Sequence, residues 1–436
     1  MRMPRLLLVF LIVIITAAFL APAAFAAASN PIVSGTSYSV SSLPTSGKIT
    51  LFNKLLEFSY PKNNILVDSN RQTATDQNVY FTVFLPEGGS PDYNKYILVS
   101  NIYQVSAAAG TYLLEPGKLT ISYDANVSPA VANQLAVWYS PSITVAGNTY
   151  KWNGTNNINL GGITDSKKYT VTAPFQFSGT GTGYYAVFLA QQAFGEFNTQ
   201  SSTSWSYPCV MPLWAKGYVE PLPSGSTSGN FGLSSNVNRL EFATMIVKGL
   251  GLTLKTKPTS ESEQVFTDTF GGGTVYFYQA TPENIDSSYF GSSYSTASGY
   301  KIYDSNHMPV QYAETAARNG IVVGYRNETT GKYEFRPANS LTRQEAAVIL
   351  ARLSSLKLSD DGDQVKTELE ALFDDASNIA PWAAPSVLAA CKASLIAGKP
   401  SDVEGSTKLK FDPAGNLTRA EAITLTYRLL KKLKKI

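Results

Sequence analysis

Three short stretches constrain this chain more than any other: Asn238-Arg239-Leu240-Glu241, Thr342-Arg343-Gln344-Glu345 and Thr418-Arg419-Ala420-Glu421. Each holds a cap residue, an arginine and, two places on, a glutamate, and a phenylalanine (Phe231, Phe335 or Phe411) stands eight residues before each arginine. Apolar residues at helical spacing follow: Phe242, Met245 and Ile246; Ala346, Ile349, Leu350 and Leu353; Ala422, Leu425, Leu429 and Leu433. A spacing kept three times is an internal repeat, so the C-terminal half is an array of like units.

The local physics of each stretch is that of a helix start. A Thr side chain accepts from the amide three residues on, and the Glu there reaches back to the cap's own amide, which is a capping box. Asn238 can do the threonine's work. The arginine then occupies the first helical position, where the helix dipole disfavours a cation. Its threefold recurrence calls for an anion nearby, either a protein carboxylate or a ligand. The plainer alternative is a capped helix with a solvated arginine.

The first 26 residues read as a secretory signal peptide: Arg2 and Arg5, a 15-residue apolar run from Leu6 to Leu20, then the small-x-small site Ala24-Phe25-Ala26. The run is short for a membrane span. With no second run of that length, the mature chain is expected to be exported and to lack a transmembrane segment. The formal net charge of +3 gives no argument for nucleic acid. Two cysteines, Cys209 and Cys391, make no disulfide framework; they read as two buried thiols or one pair. One histidine, His307, supports neither a histidine-rich metal site nor a Ser/His/Asp triad, and no cofactor is implied.

Residues 27–195 read as an all-β antiparallel sandwich. Alternating or aromatic runs such as Lys48–Phe52, Val79–Leu85, Lys118–Tyr123, Gln134–Tyr139 and Tyr184–Ala190 lie between turn signals, and eight or nine strands are expected. Leu119, Ile121 and Tyr123 share one face. Trp138, Tyr139, Tyr150 and Trp152 serve either as core and cross-strand pairs or as a sugar platform. Acids such as Glu57, Asp124 and Asp165 are present, but no spacing singles out a catalytic pair.

Residues 196–436 hold the repeats, at about 196–255, 266–357 and 373–436. The third has Phe373 and Asp375, Trp382-Ala383, Leu395-Ile396-Ala397-Gly398 and Phe411-Asp412-Pro413 before its capped helix. The second has Phe266 and Asp268, Gly320-Ile321-Val322-Val323-Gly324 and Phe335-Arg336-Pro337, with Met308 where the tryptophan falls. From opening Phe to closing Gly the second takes 58 residues against 25, so it carries an insertion near 270–306, read as a surface loop or small flap. The first repeat departs most: Phe194 and Glu196 replace Phe-x-Asp, Trp205 stands for the tryptophan, Pro221 for the closing glycine, and Leu233 for the proline.

The combination Phe-x-Asp, Trp-Ala, Gly-Ile-x-x-Gly, Phe-x-Pro and Thr-Arg-Ala-Glu resembles the S-layer homology (SLH) domain, usually found in three tandem copies. The resemblance implies a mostly α module of three repeats around a pseudo-threefold centre. It also implies grooves that bind secondary cell-wall polysaccharide, often through a pyruvylated sugar. Carried onto this sequence, the polysaccharide-binding residues are Arg419, Arg343 and Arg239, Asp375 and Asp268, Gly398 and Gly324, with Trp382 and Trp205 as sugar-stacking or core residues. A pyruvyl ketal is a fixed carboxylate, for which a helix N-terminus and a guanidinium are suited receptors.

These readings lead to a multidomain, wall-anchored surface protein without enzymatic activity, an S-layer or surface-coat component capable of lateral self-assembly. An adhesin or glycan-binding protein on the same anchor, or a wall-held hydrolase, are the alternatives.

Overall fold

The computed structural model describes residues 32–86, 95–147, 149–152, 157–192, 194–197, 203–221, 231–252, 265–268 and 308–436, and short backbone segments at 275–279, 294–297 and 300–303. The signal peptide, most of the insertion and His307 lie outside the described residues.

The N-terminal half is all β. Its strands are β1 (Ser37–Val40), β2 (Lys48–Leu51), β3 (Leu56–Ser59), β4 (Leu66–Val67), β5 (Val79–Phe84), β6 (Tyr96–Leu98), β7 (Ile102–Ser106) and β8 (Tyr112–Leu113). There follow β9 (Gly117–Ser122), β10 (Leu135–Ser140), β11 (Ile143–Ala146), β12 (Thr149–Trp152), β13 (Ile158–Gly161), β14 (Ile163–Asp165), β15 (Thr170–Phe175) and β16 (Thr182–Ala190). One sheet runs β1-β5-β7-β16-β10-β13 with β6 also on β16; the other runs β14-β15-β9-β3-β2; all pairings are antiparallel. Between them lies a core that includes Leu56, Phe58, Phe81, Leu119, Ile121, Phe175 and Val187.

The strands exceed the eight or nine expected, because β3 and β7 are short and carry few turn signals, yet both sit inside the sheets. Strand β16 is buried on both faces. Its outer residues Ala186 and Phe188 are covered by the hairpin β11–β12, whose Trp152 meets Phe188 edge-on. Trp138 packs on Tyr96 and Phe188, Tyr139 on Tyr185, and Tyr150 on Phe84, so these aromatics are packing elements.

The C-terminal half is built of α1 (Tyr207–Ala215), α2 (Arg239–Leu250), α3 (Met308–Arg318), α4 (Arg343–Leu353), α5 (Gly362–Leu372), α6 (Ala384–Lys392) and α7 (Arg419–Lys432). Each of α2, α4 and α7 begins with a complete capping box. The three loops before these helices meet in a closed ring of backbone bonds: Val237 N–H donates to Leu417 O (2.9 Å), Leu417 N–H to Leu341 O (2.9 Å) and Leu341 N–H to Val237 O (3.2 Å). Each capped helix packs on the first helix of the next repeat, α2 on α3, α4 on α6, and α7 back on α1. This is the pseudo-threefold arrangement expected of the repeats. Phe231, Phe335 and Phe411 are wholly buried in it. The insertion contributes a three-stranded antiparallel sheet, β17 (Val275–Gln279), β18 (Tyr294–Ala297) and β19 (Tyr300–Tyr303), ordered β17-β19-β18. Helix α5, capped by Asp361 and burying Val365 and Leu369, was not anticipated from the sequence.

The two halves share a core. Trp214 of α1 stacks on Tyr96 with ring centroids 5.3 Å apart, and Asn159 Nδ2 donates to Ala215 O (2.8 Å). Lys216, which ends α1, is buried, and its ammonium donates to Leu135 O (2.8 Å) and Gly162 O (2.7 Å). Burial lowers its pKa to about 7. Both cysteines are free, and burial pushes the Cys391 thiol up to about 11.

Candidate functional site

The arginine at the start of each capped helix reaches across to the next repeat. Arg343 donates from Nε to Phe411 O (2.7 Å), from Nη1 to Glu421 Oε1 (3.4 Å) and from Nη2 to Ala397 O (2.6 Å). Arg419 donates from Nε to Phe231 O (2.7 Å), from Nη1 to Glu241 Oε1, and from Nη2 to Glu220 O (3.4 Å). Arg239 donates from Nε to Phe335 O (2.9 Å) and from Nη1 to Glu345 Oε1 and the Tyr325 hydroxyl (both 3.1 Å). All three arginines are buried.

The receiving glutamates serve two helices at once. Oε2 of Glu241, Glu345 and Glu421 accepts the amide of its own cap residue at 3.0, 2.9 and 2.9 Å, while Oε1 takes the neighbour's arginine. The anion that the first-turn arginine requires is thus a protein carboxylate, in a cycle in which the arginines of repeats one, two and three take the glutamates of repeats two, three and one. Burial pushes the Glu241 carboxyl above its ordinary range even with Arg419 and the Asn238 amide opposing it. Burial also pushes Glu345 up, but there the Tyr325 hydroxyl, Thr342 and Arg239 outweigh it and hold the group below the usual value.

The aspartates strap the turn before each helix. Asp375 accepts the amides of Phe411 and Asp412 (both 2.7 Å), and Asp268 those of Phe335 and Arg336 (both 2.7 Å). In the first repeat Glu196 takes the same place, accepting from Phe231 and from Leu233 (2.9 Å). The strap holds a left-handed residue after each phenylalanine, with φ +61° at Gly232, +56° at Arg336 and +60° at Asp412. Such a conformation costs about 1–3 kcal/mol for a non-glycine residue and persists where its surroundings over-determine it.

The glycines are set by ring contacts. A Cβ at Gly398 would lie 2.7 Å from Phe373 Cε1 and from Leu409 Cβ; one at Gly324 would lie 2.5 Å from Phe266 Cε1. The tryptophans point the other way: Trp382 is 60% exposed and Trp205 53%, so neither plugs the core. Trp382 comes just before α6, on which α4 packs, and Ala380 donates its amide to Gln344 Oε1 (3.1 Å) beside Arg343. The segment that leads to Trp382 is therefore bonded to the start of the Arg343 helix. Trp205 comes just before α1 and belongs with Arg419.

Sequence reasoning passed over Lys399 and Tyr325, which follow the closing glycines in equivalent two-stranded ribbons. Lys399 Nζ lies 3.1 Å from Asp412 Oδ2 and 3.2 Å from Glu421 Oε1. The Tyr325 ring sits between the guanidiniums of Arg239 (4.6 Å) and Arg336 (4.5 Å).

Residues 304–347 and 372–423 match the family model of the S-layer homology domain. The chain is 24% identical to an amylopullulanase of Thermoanaerobacterium thermosulfurigenes over 358 residues, 80% of this chain and 15% of that protein. It is 29% identical to exoglucanase XynX of Acetivibrio thermocellus over 224 residues, 50% of this chain and 16% of that protein. It is 35% identical to a cellulosome-anchoring protein of Acetivibrio thermocellus over 102 residues, 23% of this chain and 20% of that protein. The chain spans a fifth or less of the length of these relatives. The expectation of a protein without enzymatic activity is corrected by such matches, since the three relatives that align with half or more of the chain are named as enzymes, an amylopullulanase, an exoglucanase and an endoglucanase. Residues 304–347 and 372–423 are thus S-layer homology sequence, which indicates a cell-surface protein anchored to the wall.

Proposed function

We propose that this protein is held on the bacterial wall by a pyruvylated secondary cell-wall polysaccharide that enters the junction between the second and third repeats. The observation that carries this reading is the pairing across that junction. Arg343 comes from the second repeat, but its partners Phe411, Ala397 and Glu421 come from the third, whose Asp375, Trp382 and Gly398 are all intact. Arg419 instead meets the first repeat, where Pro221 follows Glu220 in the glycine's place. The working site is therefore assigned to the junction that Arg343 closes, with Trp382, and Arg419 to closure of the module.

The anchored role we propose is polysaccharide processing at the cell surface. The amylopullulanase match spans 358 residues, more than the 196–436 module alone can supply, so part of the N-terminal half is aligned with it as well, which supports this reading. Export behind a cleaved signal peptide belongs to the same reading. Sedimentation of the full mature chain with purified sacculi, before and after removal of pyruvyl groups, tests the anchor; release of reducing ends from pullulan and cellulose tests the processing role. Binding that ignores the pyruvyl groups would overturn the ligand assignment. An ordered two-dimensional lattice of the pure protein by electron microscopy would return the reading to a surface coat.

A further inference from the structure

The anchoring reading leaves Arg343 with little to offer a ligand. Each of its nitrogens is bonded to protein, and its side chain is 4% exposed. A ligand carboxylate would reach it only by displacing Glu421 or the Ala397 carbonyl. The accessible cation in the same cluster is Lys399, whose side chain is 33% exposed. It lies two residues beyond Ala397 and shares Glu421 Oε1 with Arg343. Its ammonium has three donors; one goes to Asp412 in a hydrogen bond, and Glu421 Oε1 lies within ion-pair distance, so the three are not all engaged and a ligand can be met. Ala380, two residues before the exposed Trp382, is tied to the same place, because it bonds Gln344, and the Gln344 amide bonds Pro413 O next to Asp412.

The corresponding position of the second repeat is closed. Tyr325 fills it with a ring held between two guanidiniums and a hydroxyl spent on Glu345 and Arg239. Two junctions with the same backbone therefore differ in whether an exposed cation stands at the residue after the closing glycine.

Building on the proposed wall anchoring, we propose that Lys399 is the residue that contacts the anionic group of the polysaccharide. Arg343 is a positioning residue: it holds Glu421 and the Ala397 carbonyl, and through them the Lys399 ammonium. Tyr325 makes the Arg239 junction unable to take the same anion.

The test uses the full mature chain and purified wall polysaccharide, with pyruvyl groups intact or removed. Lys399→Gln should lose about tenfold in affinity for the pyruvylated polymer, the scale of one charge-assisted hydrogen bond. It should keep the wild-type affinity for the stripped polymer, with only a small drop in melting temperature because Arg343 stays on Glu421, and Lys399→Arg should retain most binding. Wild-type affinity of Lys399→Gln for the pyruvylated polymer, while wild type still distinguishes the two polymers, overturns the Lys399 assignment and leaves the anchoring reading standing. Equal loss on both polymers makes Lys399 structural and also overturns it. A wild type that does not distinguish the polymers overturns the pyruvyl ligand itself.

Discussion

The Arg343–Glu421 and Arg419–Glu241 junctions are built on one plan and differ in how wet they are. In both, an arginine bonds the carbonyl of the neighbouring phenylalanine and the carboxylate that caps the neighbouring helix. Glu241 and Arg419 are 4% and 7% exposed, and nothing else cationic bonds Glu241 among the described residues. Glu421 is 18% exposed and shared with Lys399. The difference teaches that the arginine–glutamate cycle is the closure of the scaffold. In the reading proposed above, a junction becomes a receptor through what is added around that cycle, namely Lys399, Trp382 and solvent access. The first repeat has instead given its surface to the β-domain: Trp214 stacks on Tyr96 of β6, and Lys216 reaches Leu135 of β10 and Gly162 between β13 and β14.

The largest expected effect breaks the drier junction. Arg419→Met leaves Glu241 charged and buried without its partner, a change that costs about 3–5 kcal/mol. Arg343→Met should cost less, because Lys399 stays on Glu421. Denaturant unfolding of the two variants measures this, and equal losses would erase the distinction drawn between the junctions.

Next come the glycines. Gly398→Ala forces Phe373 and Leu409 apart and should cost about 1–3 kcal/mol as overpacking. Gly324→Ala should cost more, since φ there is +76° and the left-handed region penalises a side chain. A thermal melt that ranks them the other way would show that ring packing does not set these positions.

Lys216 sharpens the contrast between a docking repeat and a binding repeat through pH. Its folded pKa, near 7, lies below the ordinary lysine range. Burying the charged amine therefore counts fully against the interface below pH 7, and that cost is relieved as pH rises from 7 toward 10. Melting temperature should rise over that window in wild type, and Lys216→Met should remove the rise. The smallest effects are at the tryptophans. Trp382→Ala and Trp205→Ala should each change stability by within about 0.5 kcal/mol, as exposed positions do. Only Trp382→Ala should weaken sacculus binding.

The capped helices were readable because a capping box is local: four residues announce it, and all three boxes formed. The arginine's partner was not readable, because it lies 78 to 178 residues away on another repeat. Motif order therefore assigns Arg419 to the residues of its own repeat, whereas the fold gives Trp382 and Gly398 to Arg343. The dipole argument at N1 marks the arginine's charge as unfavourable there, and it takes no account of burial and of Glu241, which make Arg419 part of the scaffold. In the β-domain, Leu56–Ser59 and Ile102–Ser106 escaped notice because four or five residues of mixed polarity become strands only when their neighbours pair with them.

The most direct test of composite junctions compares Arg343→Gln with Arg419→Gln in one preparation of the full mature chain, measuring melting temperature and sacculus affinity for each. Arg419→Gln should melt lower than wild type and, while folded, bind the wall as wild type does; Arg343→Gln should lose wall affinity with the smaller drop in melting temperature. Loss of wall affinity in Arg419→Gln at an unchanged melting temperature, with Arg343→Gln still binding, would contradict the account and place the site within a single repeat.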